Sequence, residues 1–245
     1  MNITSKTVLI TGGSAGIGLA LAKILSENRN NVIITGRDES RLKAAVGTLK
    51  FGSYFVCDVN EEDDISRLYS DISRKYEGLH VLINNAGSGF VYELEESESN
   101  YEKARAEIST NYLSVIRMVD KFLPLLTKVL EGAIVNVSSV AAIVPGHNIP
   151  TYSASKSALH SYTQMLRYAL SKKTRLKVFE LMPPLVNTEF SKDINGVNGM
   201  PPQIVAQALF DALENDQFEI RVGATENLYQ LFLQSPDDAF KKRNP

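Results

Sequence analysis

Thr7-Val-Leu-Ile-Thr11 runs without a break into Gly12-Gly-Ser-Ala-Gly-Ile-Gly18 and on into the apolar Leu19-Ala-Leu-Ala22. A short β-rich run, a glycine-dense turn and an apolar stretch in that order read as strand, tight turn and helix. Glycines let the backbone approach a bound group closely, and a helix start presents free N–H groups with a partial positive charge, which suits a pyrophosphate. The spacing differs from the simple G-x-G-x-x-G of many dinucleotide folds, so the turn alone is also consistent with a bare strand-to-helix connection.

Working outward, short apolar runs alternate with longer amphipathic segments along the chain. The runs at residues 7–11, 31–35, 53–56, 81–84, 133–138, 177–182 and 219–222 read as strands. Several lack polar alternation, as expected of strands covered on both faces. Helices are expected near residues 16–27, 40–49, 62–76, 101–130, 152–171 and 202–214, with a closing helix at 225–234. This is the α/β pattern of repeated βαβ units around a parallel sheet. Pro124 lies inside the apolar part of the long helix, which should bend or restart there. Residues 188–201, with Gly196 and Gly199 and little periodicity, read as a mobile substrate flap. The rest fits one domain of 245 residues.

Composition narrows the function. Lys plus Arg number 26 against 28 Asp plus Glu, a formal charge of −2 that argues against a nucleic-acid surface. No apolar run approaches the ~20 residues that span a bilayer, and the N-terminus lacks a secretory pattern. Cys57, a lone cysteine, allows no internal disulfide and no thiolate metal site, so a cytoplasmic location is the simplest expectation. His80, His147 and His160 share no metal-ligand spacing; no metal is expected. His80 falls against a core strand, and His147, in the loop before Tyr152, is the one histidine placed to face a substrate.

Two loops should meet at the carboxyl edge of the sheet: the glycine turn and Asn84-Asn-Ala-Gly87 at the end of the fourth strand. Downstream, Thr151-Tyr-Ser-Ala-Ser-Lys156 sets a phenol and an ammonium four residues apart on one helical face, after an apolar run that ends in Ser138-Ser139. A phenol, a fixed cation and a hydroxyl are what moving a proton to or from a carbonyl oxygen requires. Tyr-x-x-x-Lys recurs as Tyr168 and Lys172, but late in the same helix, where packing or a surface position is the expected role.

Together, Thr11-Gly-x-x-x-Gly-x-Gly18, Asn84-Asn-Ala-Gly87, Asn111, Ser139 and Tyr152-x-x-x-Lys156 resemble the short-chain dehydrogenase/reductase family, in order and spacing, over residues 7–188. The resemblance implies a Rossmann-type, doubly wound parallel sheet of seven strands with helices on both faces, and an NAD(H) or NADP(H) cofactor. It implies cofactor contacts at Gly12, Ser14, Gly16, Ile17, Gly18, Asn84, Ala86 and Gly87, with adenine beside Asp58 and Val59. Ser139, thirteen residues before the tyrosine, becomes the hydroxyl that orients the carbonyl, and Ser138 a supporting group. Tyr152 becomes the proton donor and acceptor, and Lys156 lowers its pKa from about 10 and holds the ribose. Asn111 orders a water in a proton relay. Val186 and Thr188 would contact the nicotinamide carboxamide.

Cofactor choice turns on Ile34-Thr-Gly-Arg-Asp38. NAD-preferring members carry a carboxylate where Gly36 stands; here that repulsion of a 2′-phosphate is missing, and Arg37 can pair with one. Asp38 could cap the next helix or neutralise Arg37. NADP(H) is expected over NAD(H). The family's Pro-Gly after the sixth strand is replaced by Pro183-Pro184-Leu-Val-Asn-Thr188, which with Gly199-Met-Pro-Pro202 and Glu219-Ile-Arg-Val-Gly223 resembles a subgroup named for an association with teichoic-acid D-alanylation. That association specifies no substrate. The expected partner is a small carbonyl or alcohol, with Phe90, Val144, Ile149, Leu185 and Phe190 as candidate pocket wall. A non-catalytic NADP(H) sensor of the same fold is the alternative. A homodimer or homotetramer is expected from Tyr112, Val115, Val119, Leu159, Tyr162 and Leu166, whose spacing leaves apolar surface on two helices.

Overall fold

The apolar runs form strands β1 (Thr7–Thr11), β2 (Asn31–Gly36), β3 (Gly52–Val56), β4 (Val81–Asn84), β5 (Ala133–Val137), β6 (Lys177–Met182) and β7 (Glu219–Arg221). In the computed structural model, which describes residues 1–95 and 98–245, they pair in one seven-stranded sheet of order β3-β2-β1-β4-β5-β6-β7. Every pairing is parallel. Helices α1 (Gly16–Glu27), α2 (Glu39–Val46), α3 (Glu62–Lys75), α4 (Asn100–Ile108), α5 (Ser114–Leu126), α6 (Pro150–Lys173), α7 (Pro202–Asn215), α8 (Ala224–Gln234) and α9 (Pro236–Arg243) surround it. This is the doubly wound Rossmann architecture the sequence implies.

Strand periodicity sorts the core into two layers, because successive side chains point to opposite faces. Val8, Ile10, Val81 and Ile83 pack with Leu21 and Leu25 of α1 and Leu209 and Leu213 of α7. Leu9, Leu82 and Ile134 pack on the other face with Leu68 and Ile72 of α3, Val119 and Phe122 of α5, and Leu159 of α6. Phe122 is fully buried, and truncating it to alanine should cost ~3–5 kcal/mol. Sequence order reverses between β1 and β4, where Leu9 pairs with Leu82 and Ile10 with Ile83, so the loops leaving these strands flank one crevice.

Three expectations change. The long helix is interrupted not at Pro124 but upstream, by a π-helical turn at Ser109–Leu113 between α4 and α5. Pro124 sits in the last turn of α5, which ends at Leu126, so the missing donor disturbs little beyond it. Residues 188–201 are not devoid of elements: two 3₁₀ turns, Glu189–Ile194 and Gly196–Asn198, fill most of the stretch. Its ends are tied by Asn187 N–H to the Met200 carbonyl at 2.9 Å and Met200 N–H to the Leu185 carbonyl at 2.9 Å. Finally, α9 has no counterpart in the sequence reading. Ser235 accepts from Asp238 N–H at its start, Asp237 and Asp238 occupy the first turn, and Lys241, Lys242 and Arg243 the last, so its charges follow the helix dipole.

Candidate active site

The two loops at the switch point are bonded to each other. Thr11 Oγ1 accepts from the backbone N–H groups of Asn85 and Ala86, both at 3.0 Å. Asn85 Nδ2 donates to the Thr11 carbonyl at 2.9 Å and the Gly12 carbonyl at 3.1 Å. Gly16 has φ +53°, a conformation that favours glycine, and a Cβ on Gly18 would lie 2.3 Å from the Gly12 carbonyl oxygen. Ala15, at the start of α1, offers no side-chain cap, and the first turn holds no acidic residue. Its amides are therefore left for an external anion, and the turn fits a dinucleotide pyrophosphate.

A cavity of about 440 Å³ opens here. Of the residues singled out in the sequence, Gly12, Gly16, Ile17, Ala86, Gly87, Ser139, Tyr152, Lys156, Val186 and Thr188 line it. Asn84 does not: its Nδ2 donates to Asn136 Oδ1 at 2.8 Å in the core, and its neighbour Asn85 faces the cavity instead. Both asparagines stand in the quoted motif, but only the strand register separates their faces. Gly18 is buried against the turn.

Ser139 and Tyr152 meet at the carboxyl end of β5. Burial pushes the Tyr152 phenol up to about 12, opposed by hydrogen bonding with Ser139 and by the charge of Arg243, while Glu107 adds to the rise. Lys156 is buried, and its Nζ donates to the Val137 carbonyl at 2.8 Å. Desolvation pulls it down to about 8, with the buried Glu180 carboxylate holding it up. Lys156 Nζ lies 5.7 Å from the Tyr152 ring centroid, and Arg243 brings a second positive charge to the phenol, which the sequence reading does not foresee. Ser138 also borders the cavity, but its hydroxyl donates to Glu180 Oε1 at 2.5 Å, and His160 Nδ1 approaches the same carboxylate at 2.9 Å. Tyr168 is exposed, with Lys172 Nζ 5.0 Å from its ring centroid, and lies outside the cavity wall.

Asn111 occupies the π turn and is fully buried. Its Oδ1 accepts from Ser88 N–H, and its Nδ2 donates to the Ser88 carbonyl and to Ser155 Oγ, each at 2.8 Å. Both amide protons are engaged. A Cβ on Gly87 would lie 3.3 Å from Asn111 Oδ1 and 3.9 Å from Lys156 Nζ, so these three groups converge behind the cavity.

At the far end of the glycine turn, Asp38 caps α2, accepting from Arg41 N–H at 3.1 Å and Ser40 Oγ at 2.6 Å. Arg37 is therefore not neutralised by Asp38; largely exposed, it lies 4.0 Å from Asp58. Asp58 does not cap α3 but accepts from Asn60 N–H at 2.9 Å. Val59 packs in the core, leaving only its backbone groups for a ligand. A Cβ on Gly36 would meet Ser14 Oγ at 3.7 Å, an ordinary contact, so this position has room. The sequence reading missed Arg41, which bridges to Glu189 at 2.7 Å with both residues on the cavity wall.

Thr188 and Ser191 form a reciprocal cap that fixes the first turn of the flap, and Phe190 stands 6.0 Å from the Tyr152 ring. Ile149, Leu185 and Phe190 line the cavity as expected; Phe90 is not on its wall, and Val144 is buried in the fold. His147 also misses it: its N–H donates to Asn244 Oδ1 at 2.7 Å on the outer side of the loop. His80 is structural, accepting from Thr7 N–H at 3.1 Å, with burial holding its pKa down. Arg243 of α9, not foreseen, is part of the cavity wall. Among the described residues no group of His, Cys, Asp and Glu could hold a metal, and no helix is long and apolar enough to cross a membrane.

A switch-point crevice with a glycine turn defines a nucleotide-binding α/β protein, and here a serine, a tyrosine and a lysine converge on that crevice. The short chain dehydrogenase profile matches residues 6–198, and the chain belongs to that family. It is 36% identical over 249 residues to the uncharacterized oxidoreductase DltE of Bacillus subtilis, covering 100% of this chain and 98% of that one. Its fold is similar to a short chain dehydrogenase from Burkholderia cenocepacia in complex with NADP, with TM-score 0.88, 25% identity and 99% of each chain covered. A short chain dehydrogenase/reductase from Burkholderia phymatum in complex with NAD has TM-score 0.86, 23% identity and 96% coverage of each chain.

Proposed function

We propose that this chain is a nicotinamide-dependent oxidoreductase that interconverts a carbonyl and an alcohol, with NADP(H) preferred. The observation that carries it is the convergence of Ser139, Tyr152 and Lys156 on the cavity that the uncapped start of α1 also faces. A bound nicotinamide supplies or accepts the hydride. Ser139 holds the carbonyl oxygen, and Tyr152 gives that oxygen its proton during reduction and takes it back during oxidation. The Lys156 ammonium favours the phenolate that forms and binds the ribose hydroxyls. Asn111 completes a relay that returns a proton to Tyr152. Gly12, Ser14, Gly16, Ile17 and Gly18 form the pyrophosphate turn, Ala86 and Gly87 flank the ribose, and Val186 and Thr188 anchor the carboxamide. Asp58 and Val59 sit at the adenine.

Arg37 supports the NADP(H) preference: it is exposed, pairs only loosely, at 4.0 Å, with Asp58 and not with Asp38, and follows Gly36, which carries no carboxylate. Residues 188–201 serve as the substrate flap, with the Arg41 to Glu189 bridge across its base. A cytoplasmic location fits the single buried thiol, Cys57. We further propose a homodimer, or a tetramer built from two such dimers, through α4, α5 and α6. Val115, Val119 and Leu159 are taken up by the core, but Tyr101, Leu113, Met165 and Tyr168 leave apolar surface on those segments. Light scattering should give at least twice the monomer mass.

The test of the function is turnover of NADPH with a panel of aldehydes and ketones, beside NADPH and NADH titrations. Reduction by the unmodified protein and none by Tyr152→Phe supports the reading. Tight NADPH binding with no turnover would favour the sensor alternative.

A further inference from the structure

The guanidinium of Arg243 has no ion-pair or hydrogen-bond partner among the described residues, and its Nε is shielded from solvent with nothing to donate to. Burial holds its pKa down, and its charge reaches the Tyr152 phenol. An unpaired, partly desolvated cation is costly unless an anion joins it. The fold nevertheless fixes it in place. Asn244, the next residue, donates through Nδ2 to the Pro145 carbonyl at 3.0 Å and accepts from His147 N–H at 2.7 Å. Gly146 lies between these anchors, and a Cβ there would come within 3.5 Å of Arg243 Nη2. The side chain is thus led into the cavity over a position with no side chain. The other charged groups on the wall have partners: Arg41 with Glu189, and Lys156 with the Val137 carbonyl.

We infer that the substrate of this enzyme is a carbonyl compound that carries a carboxylate, and that Arg243 binds that carboxylate beside Tyr152. The inference rests on the carbonyl reductase reading above and adds the substrate class. A guanidinium can grip a planar carboxylate through its two terminal Nη groups in parallel, and on Arg243, which is part of the cavity wall, neither has a partner among the described residues while Nε is covered by the protein. The apolar wall of Val91, Ile149, Leu185 and Phe190 takes the remaining carbon chain. An oxo acid, or the corresponding hydroxy acid in reverse, satisfies both.

The experiment compares oxo acids with their methyl esters and with phosphate monoesters of matched hydroxy ketones, in NADPH turnover and in calorimetric binding to the protein with NADP⁺. The expected result is at least tenfold higher kcat/KM for the acids than for the esters. Arg243→Gln should reduce that ratio at least tenfold, mainly through KM, and Arg243→Lys should recover part of it. Asn244→Ala, which frees the anchor, should lower the ratio in the same direction, whereas Lys241→Gln, exposed on the same helix, should leave it unchanged. Calorimetry should show carboxylate binding weakened at least tenfold in Arg243→Gln with an unaltered melting temperature. Equal use of acids and esters, or an unchanged ratio in a folded Arg243→Gln, overturns the inference while leaving the reductase reading intact. Preference for the phosphate monoesters overturns the carboxylate assignment. Turnover of none of these carbonyls defeats the parent reading; the calorimetric loss on Arg243→Gln then still decides whether Arg243 is an anion site.

Discussion

The cavity has two ends built in different ways. At the cofactor end, the glycine turn, the Asn84 to Gly87 loop and Lys156 are held by short strands in fixed register and by backbone contacts that leave no room for another side chain. At the substrate end, the wall comes from the 145–149 loop, the segment after β6 and the last turn of α9, joined by a few hydrogen bonds such as those of Asn244. On the function proposed above, the chemistry that every substrate shares belongs to the first, and discrimination among substrates to the second. A fixed backbone cradle changes little without loss of the cofactor, whereas a wall of side chains on separate segments can vary singly.

The largest effect tests whether chemistry stays at the cofactor end. Tyr152→Phe should lower turnover on the order of 10³-fold while leaving NADPH affinity within about twofold, since only the proton is lost. Tyr168→Phe should change neither. Comparable losses in both folded variants, read by steady-state kinetics, would mean that the cavity does not house the reaction.

Next come two glycines, one from each end. Gly18→Ala would place a Cβ 2.3 Å from a backbone oxygen and 2.5 Å from Asn85 Nδ2. Backbone cannot yield as a side chain can, so a stability loss of ~3 kcal/mol or more is expected, with NADPH binding impaired. Gly146→Ala would meet Ile149 at 3.0 Å and Arg243 at 3.5 Å, both side chains. It should cost about 1 kcal/mol and act on substrate KM. Denaturant midpoints and cofactor titrations separate the two; equal damage to cofactor binding would erase the contrast.

The same division explains what could be read from the chain. Strands such as Val8 to Ile10 announce themselves through unbroken apolar runs, and the cofactor end through glycines and Tyr152-x-x-x-Lys156 at local spacings. What escaped depends on long-range placement. Helix α9 is short and charged, without an apolar stripe, although Ser235-Pro-Asp-Asp238 and Lys241-Lys-Arg243 carried its start and stop signals. Arg243 gives no hint in sequence that it returns to a site more than ninety residues away at Gly146. Asn85 was passed over for Asn84 because adjacent residues differ only in facing, which the strand settles. The π turn at Ser109 to Leu113 likewise has no marker comparable to Pro124.

A third prediction weighs the outer part of the cofactor end. Arg37→Ala should weaken NADPH about tenfold and NADH little, because only the 2′-phosphate loses a partner. Equal affinities of the unmodified protein for both cofactors would remove Arg37 from the site.

The mildest effect is that of pH, and it assigns the titrating group to one end. In reduction Tyr152 must begin protonated, and a phenol pushed up to about 12 remains so throughout the working range. Lys156, pulled down to about 8, is charged below that value and neutral above it. Its positive charge favours the phenolate that forms as the proton leaves, so the rate of reduction should be level below pH 7 and fall as pH rises through 8. At the pKa itself the loss is about twofold. Arg243 keeps its charge across this range, since a guanidinium does not deprotonate in proteins. The alkaline limb should therefore appear at the same pH for oxo acids and for their esters, in kcat rather than in KM. A limb confined to the acids, or one abolished by Arg243→Gln, would move the titrating group to the substrate end and break the division.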